Sequence, residues 1–259
     1  MPENSGNNPY FNCPFRWAAS TDKGRLREQN EDSFLIEPET EIFLVSDGMG
    51  GHRGGELASK ITTEDLSVLI ETGLHRLKSN SSKSIKRLLK KTIVEQNRQL
   101  CMEGKSESGY KEMGATLAIV LLRQARAYLA NLGDSRIYRF RNNKMLQMSK
   151  DHSVVSELLH KGQIDEQEAQ NHEARGQITH YIGMEEKAKP YIRSFTLKKN
   201  DRLLLCSDGL TDMLADEEIA KIQNSVTDPQ TACQNLVDAA NSAGGYDNIT
   251  AVIVDWQES

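Results

Sequence analysis

Four aspartates stand at predicted turns, just beyond short apolar runs. They are Asp47, Asp134, Asp208 and Asp247. An acidic pair, Glu31-Asp32, precedes a further apolar run at residues 34–36. One such step is an ordinary strand-to-turn transition, because Asp and Gly both suit turns. Several of them, spread from residue 31 to residue 247, predict strand ends that the fold brings together.

Carboxylates gathered in this way repel one another unless a divalent cation lies among them. An all-carboxylate cluster selects Mg²⁺ or Mn²⁺ over zinc, which prefers His and Cys. Two such ions, about 3.5–4 Å apart, can share a carboxylate and a water and direct that water at phosphorus. Asp47 is the candidate bridging carboxylate. Gly48 would let the backbone turn sharply enough to offer its carbonyl as another ligand. The sequence therefore indicates a hard-metal enzyme.

Two further residues are candidates for the phosphate side of such a site. The planar guanidinium of Arg27 can pair with two phosphate oxygens, and the alternative is an ordinary surface arginine. His52 is a candidate proton donor, and the alternative is a loop histidine. Asp134 also has two possible interpretations, as a metal ligand or as a turn residue. The Gly-rich segment 48–51 lacks the GxxxxGK[ST] pattern and predicts no nucleotide P-loop.

Bulk properties narrow the function classes. The 259 residues allow one large domain or two small ones. The net charge of −5 argues against a nucleic-acid binder, which usually carries a basic face. No apolar stretch reaches the length of a membrane span, and residues 1–15 lack a signal-peptide pattern. The four cysteines are widely separated without a CxxC pair, which favours free thiols and a cytoplasmic setting.

The order of elements predicts an α+β fold, in which antiparallel sheet carries helices on its outer faces. Residues 1–15 are predicted to be a flexible N-terminus, and 16–259 a single domain. Strands are expected near 17–20, 33–36, 42–45, 116–122, 127–131, 136–139, 192–197, 202–206 and 249–255. Helices are expected over 55–72, from a Ser82 N-cap through Leu100, and over 154–161, 166–172, 216–223 and 229–243. The basic run between residues 83 and 91 is interpreted as a solvated helix face rather than a nucleic-acid patch.

Taken together, the candidate site residues and the segments around them resemble the metal-dependent serine/threonine protein phosphatase family, type 2C, in its bacterial form. The resemblance covers residues 16–255 in family order. Its motifs are Thr21-Asp22-Lys23-Gly24, Asn30-Glu31-Asp32, Ser46-Asp47-Gly48-Met49-Gly50-Gly51-His52, Met113-Gly114-Ala115-Thr116, Asn131-Leu132-Gly133-Asp134-Ser135-Arg136, Asp151-His152-Ser153, Ser207-Asp208-Gly209-Leu210-Thr211-Asp212 and Asp247-Asn248-Ile249-Thr250. Each motif alone is weak, whereas the ordered set is specific.

The resemblance implies a four-layer α-β-β-α sandwich, with two packed antiparallel sheets flanked by helix pairs and the metals at one end. It also implies a ligand set. Asp47 would bridge two ions, Asp208 and Asp247 would bind the first, and the Gly48 carbonyl and, through water, Glu31 would bind the second. Asp32 would support these ligands from behind, Asp134 would share a third, weaker ion with Asp208, and Arg27 would bind the substrate phosphate. Residues of about 150–190 would form a flap beside the site.

Two departures from the family pattern concern the proton donor and the flap. Animal members carry a histidine two positions after the bridging aspartate, where this chain has Met49. His52 or a metal-bound water are the remaining candidates for the general acid. Many bacterial relatives have His-Pro followed by Arg-Asn in the flap, whereas this chain reads His172-Glu173-Ala174-Arg175-Gly176. The flap is therefore expected to recognise a different partner.

The sequence predicts a Mg²⁺- or Mn²⁺-dependent phosphatase that hydrolyses phosphoserine and phosphothreonine in proteins by attack of a metal-bridging water. Its expected partners are phosphorylated proteins made by a serine/threonine kinase, with no nucleic acid and no membrane, and the chain is expected to be a monomer. One alternative is a non-catalytic module on the same fold that binds a phosphorylated partner. Another is a metal-dependent nuclease or nucleotide phosphohydrolase.

Overall fold

A computed structural model describes residues 14–50, 54–106 and 113–258. These residues form strands and helices in the following order. The strands are β1 (Phe15–Asp22), β2 (Asp32–Glu37), β3 (Ile42–Met49), β4 (Gly114–Ala115), β5 (Leu117–Arg123), β6 (Arg126–Leu132), β7 (Arg136–Arg141), β8 (Lys144–Gln147), β9 (Tyr191–Thr196), β10 (Arg202–Cys206) and β11 (Ile249–Trp256). The helices are α1 (Gly54–His75), α2 (Ser82–Ser106), α3 (Val154–His160), α4 (Glu166–Gln170), α5 (Asp208–Thr211), α6 (Asp216–Ser225) and α7 (Pro229–Ser242).

The strands form two sheets. One has the order β1-β11-β10-β7-β8, and the other has the order β2-β3-β5-β6-β9 with β4 added beside β3. All the strand pairings within the described residues are antiparallel. Helices α1 and α2 pack on the second sheet, and α6 and α7 pack on the first. The predicted α+β fold and its four-layer α-β-β-α arrangement are confirmed.

The layering explains why several strands are continuously apolar. In β3, Ile42 and Leu44 face the helices α1 and α2, whereas Phe43 and Val45 face the other sheet. Strand side chains alternate between faces, so a strand with helices on one side and a sheet on the other is buried on both. A run of this type fixes the register at the end of β3, where Asp47 lies.

Most predicted elements are present, with shifted ends. Strand β1 begins at Phe15, which is 2% exposed, so Phe15 belongs to the folded domain, one residue earlier than predicted. Ser81, rather than Ser82, caps α2, because the Ser81 hydroxyl accepts a hydrogen bond from the Ser84 amide at 3.2 Å. The sequence does not predict the short elements β4, β8 and α5. No helix within the described ranges is long and apolar enough to cross a bilayer.

Candidate active site

Strand β3 carries Asp47 to the end of its sheet, where Thr116, between β4 and β5, and strand β2 hold it. The Asp47 amide donates to the Thr116 hydroxyl at 2.9 Å, and the Thr116 amide donates to the Asp47 carbonyl at 2.8 Å. On the other side, Asp32 of β2 is directly opposite Asp47 in the register. The backbone of Asp47 is therefore fixed before any ligand is considered.

Gly48 is required for space rather than for a sharp turn, which corrects the sequence-based expectation. It lies within β3, and its amide donates to the Glu31 carbonyl at 3.2 Å. A Cβ atom at Gly48 would overlap the carbonyl oxygen of Gly55 at the start of α1. A Cβ atom at Gly55 would in turn overlap the Glu31 carboxylate. Glycines at both positions let helix and strand backbones approach closely beside the acidic cluster.

Seven of the predicted site residues line one pocket of about 360 Å³. Its lining includes the acidic residues Glu31, Asp47, Asp134, Asp208 and Asp247, together with Gly48 and Arg27. Asp208 reaches the pocket from the first turn of α5, and Asp247 reaches it from the loop before β11. The structure therefore brings acidic residues from distant strand ends into one pocket, as expected. Their roles as metal ligands remain predictions.

Asp32 lies behind this pocket rather than in its lining. It is 8% exposed, and its Oδ2 accepts hydrogen bonds from Ser207 Oγ at 2.7 Å and Thr250 Oγ1 at 2.6 Å. Burial raises the pKa of Asp32 to about 7, although the two hydroxyl donors oppose that rise. This placement favours the supporting role that the resemblance implied over direct metal contact.

Burial and mutual repulsion raise the pKa values of three of the pocket carboxyls. Removal from water is the largest cause for Asp47, Asp134 and Asp208, and the pKa of Asp208 reaches about 6. Neighbouring aspartates add repulsion at each position, such as Asp208 at both Asp47 and Asp134. A hydrogen bond from Asp47 to Asp208 raises the pKa of Asp47 and lowers that of Asp208. Close carboxyls hold a proton between them in this way when no cation neutralises them.

Arg27 extends over the acidic pocket from the loop after β1. Its Nη2 lies 2.6 Å from Asp247 Oδ2, and this hydrogen bond is the largest cause that raises the pKa of Arg27. The Arg27 side chain is 54% exposed, so the guanidinium is open to solvent at the mouth. It is the only basic residue in the lining of the pocket, as far as the described residues show.

The pocket fits hard divalent cations on the chemistry of its donors. Its ligating side chains are carboxylates, which Mg²⁺ and Mn²⁺ prefer, and neither His nor Cys lines it within the described ranges. Asp208 Oδ1 is buried without a hydrogen-bond partner, as expected of an atom reserved for a cation. Within the described residues, no group of three or more acidic, His or Cys side chains is arranged closely enough to hold one ion. Asp247 instead pairs with Arg27.

Sequence reasoning missed the polar residues that hold the acidic ones. Asn248 Oδ1 accepts a hydrogen bond from the Glu31 amide at 2.8 Å, and its Nδ2 donates to the carbonyls of Lys23 and Gln29 at 2.9 Å each. Ser207 and Thr116 were quoted only as parts of motifs. The available signal was a polar residue directly beside each candidate aspartate. His52 lies outside the described residues, so its predicted role is not tested.

Several contacts attach the predicted flap to the surroundings of the acidic pocket. Arg175 Nη2 lies 2.9 Å from Asp212 Oδ1, just beyond α5. The His152 amide donates to the Gly133 carbonyl at 2.9 Å, next to Asp134. Gly176 and Ile178 of the same segment line the acidic pocket. The segment that departs from the family pattern therefore lies beside the site.

The family model for protein phosphatase 2C matches residues 24–243. The chain belongs to the protein phosphatase 2C family. It is 37% identical over 238 residues to serine/threonine phosphatase stp of Listeria innocua, covering 91% of this chain and 93% of that protein. It is 34% identical over 242 residues to protein phosphatase PhpP of Streptococcus pneumoniae, covering 92% of this chain and 96% of that protein.

Solved structures of protein phosphatase 2C relatives agree with this assignment. The serine/threonine phosphatase of S. agalactiae superposes with a TM-score of 0.84 at 32% identity, over 95% of this chain and 100% of that one. The catalytic domain of PstP, solved in complex with two manganese ions, superposes with a TM-score of 0.79 at 28% identity, over 94% of this chain and 99% of that one. The acidic pocket therefore lies on a fold that holds divalent metal in a relative.

Proposed function

We propose that this chain is a divalent-metal-dependent protein phosphatase that hydrolyses phosphoserine and phosphothreonine in proteins. The observation that carries the proposal is the single pocket in which five acidic residues face one exposed arginine, on the protein phosphatase 2C fold. The Listeria innocua relative is a serine/threonine phosphatase by name and the Streptococcus pneumoniae relative a protein phosphatase, which supports the same substrate class.

The residues of the pocket divide into metal-holding and phosphate-holding groups. Asp47, Asp208, Asp247 and the Gly48 carbonyl would hold two ions, and Glu31 would act through water. Bound Mg²⁺ or Mn²⁺ supplies an activated water and neutralises charge on the phosphoryl group. Asp32, fixed by Ser207 and Thr250, would keep the neighbouring backbone of Asp47 in place.

Arg27 would bind and orient the phosphate, because its fork can donate to two oxygens at once. It reaches the pocket while already paired with Asp247, so phosphate and Asp247 would share its donors. The leaving serine or threonine oxygen needs a proton. Met49 cannot supply one, and His52 stays the predicted donor among the side chains.

Three finer points also belong to the proposal. We expect Asp134 and Asp208 to share a third, weaker ion, since both line the pocket and the charge of Asp208 raises the pKa of Asp134. Either Mg²⁺ or Mn²⁺ suits this donor set. We further expect a cytoplasmic monomer that acts on substrates of a serine/threonine kinase, without nucleic acid or membrane as a partner.

The test is hydrolysis of p-nitrophenyl phosphate and of a phosphothreonine peptide, with Mn²⁺, with Mg²⁺ and with EDTA. We expect turnover of both substrates with either metal and none with EDTA, and we expect added Mn²⁺ to restore it. Phosphopeptide binding without turnover under all metal conditions would favour the non-catalytic module. Hydrolysis of nucleic acid or nucleotides in preference to phosphopeptides would favour the nuclease or phosphohydrolase alternative.

A further inference from the structure

A groove of about 790 Å³ lies at the closed end of the α1–α2 hairpin, away from the acidic pocket. The last turns of α1, the connection at residues 76–79 and the first half of α2 form its walls. Gly55, at the start of α1, borders the acidic cluster, whereas Gly73, near the end of α1, lines the groove. At 1.5 Å per helical residue, these two glycines are about 27 Å apart. The groove is therefore a separate surface of the molecule.

The floor of this groove is apolar, and most of its accessible lining is carbon. Leu69 and Leu77 are only half-buried, and Leu88 of α2 lies beneath them at 9% exposure. A Cβ atom at Gly73 would overlap Leu88 Cδ1, so this glycine lets the two helices approach closely at the floor. The partly open leucines can therefore gain burial from a partner that enters the groove.

Basic side chains surround this floor. They are Arg76, Lys78, Arg87 and Lys91. All four are exposed, and none of them forms an ion pair with another described residue. The one acidic residue in the described lining, Glu95, already pairs with Arg98 at 2.6 Å. The groove thus carries an excess of positive charge on a chain whose net charge is −5.

The structure divides the basic run of α2 between two surfaces. Arg87 and Lys91 are four residues apart, so they lie on one face of the helix, and both line the groove. Lys86 and Lys90 have the same spacing and lie outside the lining. The two pairs differ in position but not in charge, which provides a matched comparison.

An apolar floor with a basic rim favours one class of partner over others. A nucleic acid is bound through polar and charged contacts to its phosphates and bases, which a leucine floor does not offer. A membrane surface takes up apolar side chains that protrude, whereas Leu69 and Leu77 lie within a concave groove. A polypeptide segment with apolar side chains on one face and Asp or Glu beside them matches both the floor and the rim.

We infer that this groove, lined by Leu69, Leu77, Arg87 and Lys91, binds an acidic, leucine-containing segment of a partner protein. The apolar side chains of the segment are buried on the leucines, and its carboxylates pair with the basic rim. The inference goes beyond the proposed hydrolysis and does not depend on it, because the groove is remote from the acidic pocket.

The test measures binding directly, by fluorescence anisotropy with a fluorescein-labelled probe peptide. The probe, of about 14 residues, has Leu at helical positions i, i+3 and i+7 and Glu on both sides of that stripe. A scrambled peptide has the same composition and charge, with its leucines spread around the helix. For wild type, we expect the probe to bind about tenfold more tightly than the scrambled peptide, because only the probe presents its leucines together.

The basic rim is tested by charge reversal. Arg87→Glu combined with Lys91→Glu should weaken probe binding at least about tenfold, because attraction to the Glu side chains becomes repulsion. Lys86→Glu combined with Lys90→Glu makes the same change in net charge on the same helix and should keep the affinity within about threefold. Equal weakening by the two double variants, or no weakening by the first, would overturn the inference.

The leucine floor is tested separately. Leu69→Gln should weaken probe binding about fivefold, since it removes an apolar surface on which the probe is buried. Val68→Gln, at a neighbouring position that is 59% exposed and outside the lining, should leave the affinity unchanged. Equal affinities of these two variants, or equal binding of probe and scrambled peptide to wild type, would overturn the inference. The Tm of each variant confirms that it is folded, and the comparison of the two peptides on wild type needs no variant.

Two further measurements detect other occupants of the groove. Wild type that binds phosphatidylglycerol vesicles through Arg87 and Lys91 but does not bind the probe would indicate a lipid surface. A concentration-dependent dimer that is lost in the Arg87→Glu, Lys91→Glu variant would indicate a second copy of the chain. Either result would overturn the inference.

Failure of the proposed function gives a different result. Wild-type protein that does not hydrolyse p-nitrophenyl phosphate with Mn²⁺ would contradict the phosphatase assignment and leave the probe affinities to decide on the groove. If the protein is active, all four variants should keep this turnover within about twofold, because the groove lies about 27 Å along α1 from the acidic cluster.

Discussion

Arg27 Nη2 lies 2.6 Å from Asp247 Oδ2, although 220 residues separate the two in sequence. A predicted phosphate-binding cation thus pairs with a predicted metal ligand at the mouth of the acidic pocket. Because the guanidinium has further donors, it can keep Asp247 in place while it binds a phosphate oxygen. This pairing links phosphate binding to the metal ligands through one side chain.

Arg27→Ala should lower kcat/KM for a phosphopeptide about 100-fold, with a higher KM and a lower kcat, because an oriented donor to the phosphoryl oxygens is lost. Arg27→Lys should restore only part of this loss, since a point charge lacks the two-pronged geometry. Steady-state kinetics measure both. Arg98→Ala is the matched control, because Arg98 also forms an exposed pair at 2.6 Å, with Glu95 on α2. If Arg27→Ala and the control have equal kinetics, Arg27 is an ordinary surface arginine and does not bind the substrate phosphate.

Asp208→Asn should reduce turnover on the order of 1000-fold, since it removes a negative ligand from the first ion and from the expected third ion. Mn²⁺ affinity, measured by calorimetry, should fall in parallel. The exposed Asp238→Asn on α7 tests whether the charge change alone matters, and it should leave turnover and Mn²⁺ affinity unchanged. Near-normal rates of Asp208→Asn in Mn²⁺ would mean that the ligand set is wrong.

Asp134→Ala separates a third-ion ligand from a turn residue. As a ligand with few protein partners, Asp134 should hold its ion weakly, so the variant should keep two ions and its fold. Turnover should decrease, most clearly for protein or peptide substrates that extend over the flap. As a turn residue alone, Asp134 would instead contribute about 1 kcal/mol of stability with no effect on turnover per folded molecule. Metal-bound crystal structures and kinetics distinguish the outcomes, and three occupied sites with normal activity would exclude the third-ion role.

His152 at the base of the flap should make stability depend on pH. Burial, and then the nearby His180, lower its pKa to about 4, and its Nδ1 has no hydrogen-bond partner. As the pH falls, His152 is therefore protonated near pH 6.5 in the unfolded chain but only near pH 4 in the folded chain. Stability contributed by neutral His152 is fully present above pH 6.5 and is lost as the pH falls toward 4.

The measurement is the difference in Tm between His152→Asn and wild type across that range, which cancels the titration of the acidic pocket. We expect the variant to gain stability relative to wild type as the pH falls. A Tm difference that stays constant with pH for His152→Asn would contradict the assigned burial effect.

Local sequence patterns were sufficient to predict the elements whose first and last residues are marked by residues next to them in sequence. The apolar run of β10 was predicted with its observed bounds, Arg202–Cys206. Helix α7 begins after Asp228, whose side chain accepts from the Thr231 amide at 2.8 Å, as the Asp-Pro step indicates. By contrast, the half-exposed strand β8 and the four-residue helix α5 have too little local periodicity to be recognised.

The sequence by itself determined the fold class, the acidic positions and the preference for hard cations. These follow from residue types and from the periodicity of apolar residues, which can be read along the chain without knowing any distant contact. Tertiary structure decided which residues support the site. Ser207 and Thr250 donate to Asp32 from positions 175 and 218 residues away, and sequence spacing carries no information on such contacts. Tertiary structure also decided that Gly48 is needed for the close approach of α1. This approach depends on backbones that meet only after the two sheets and their helices have packed.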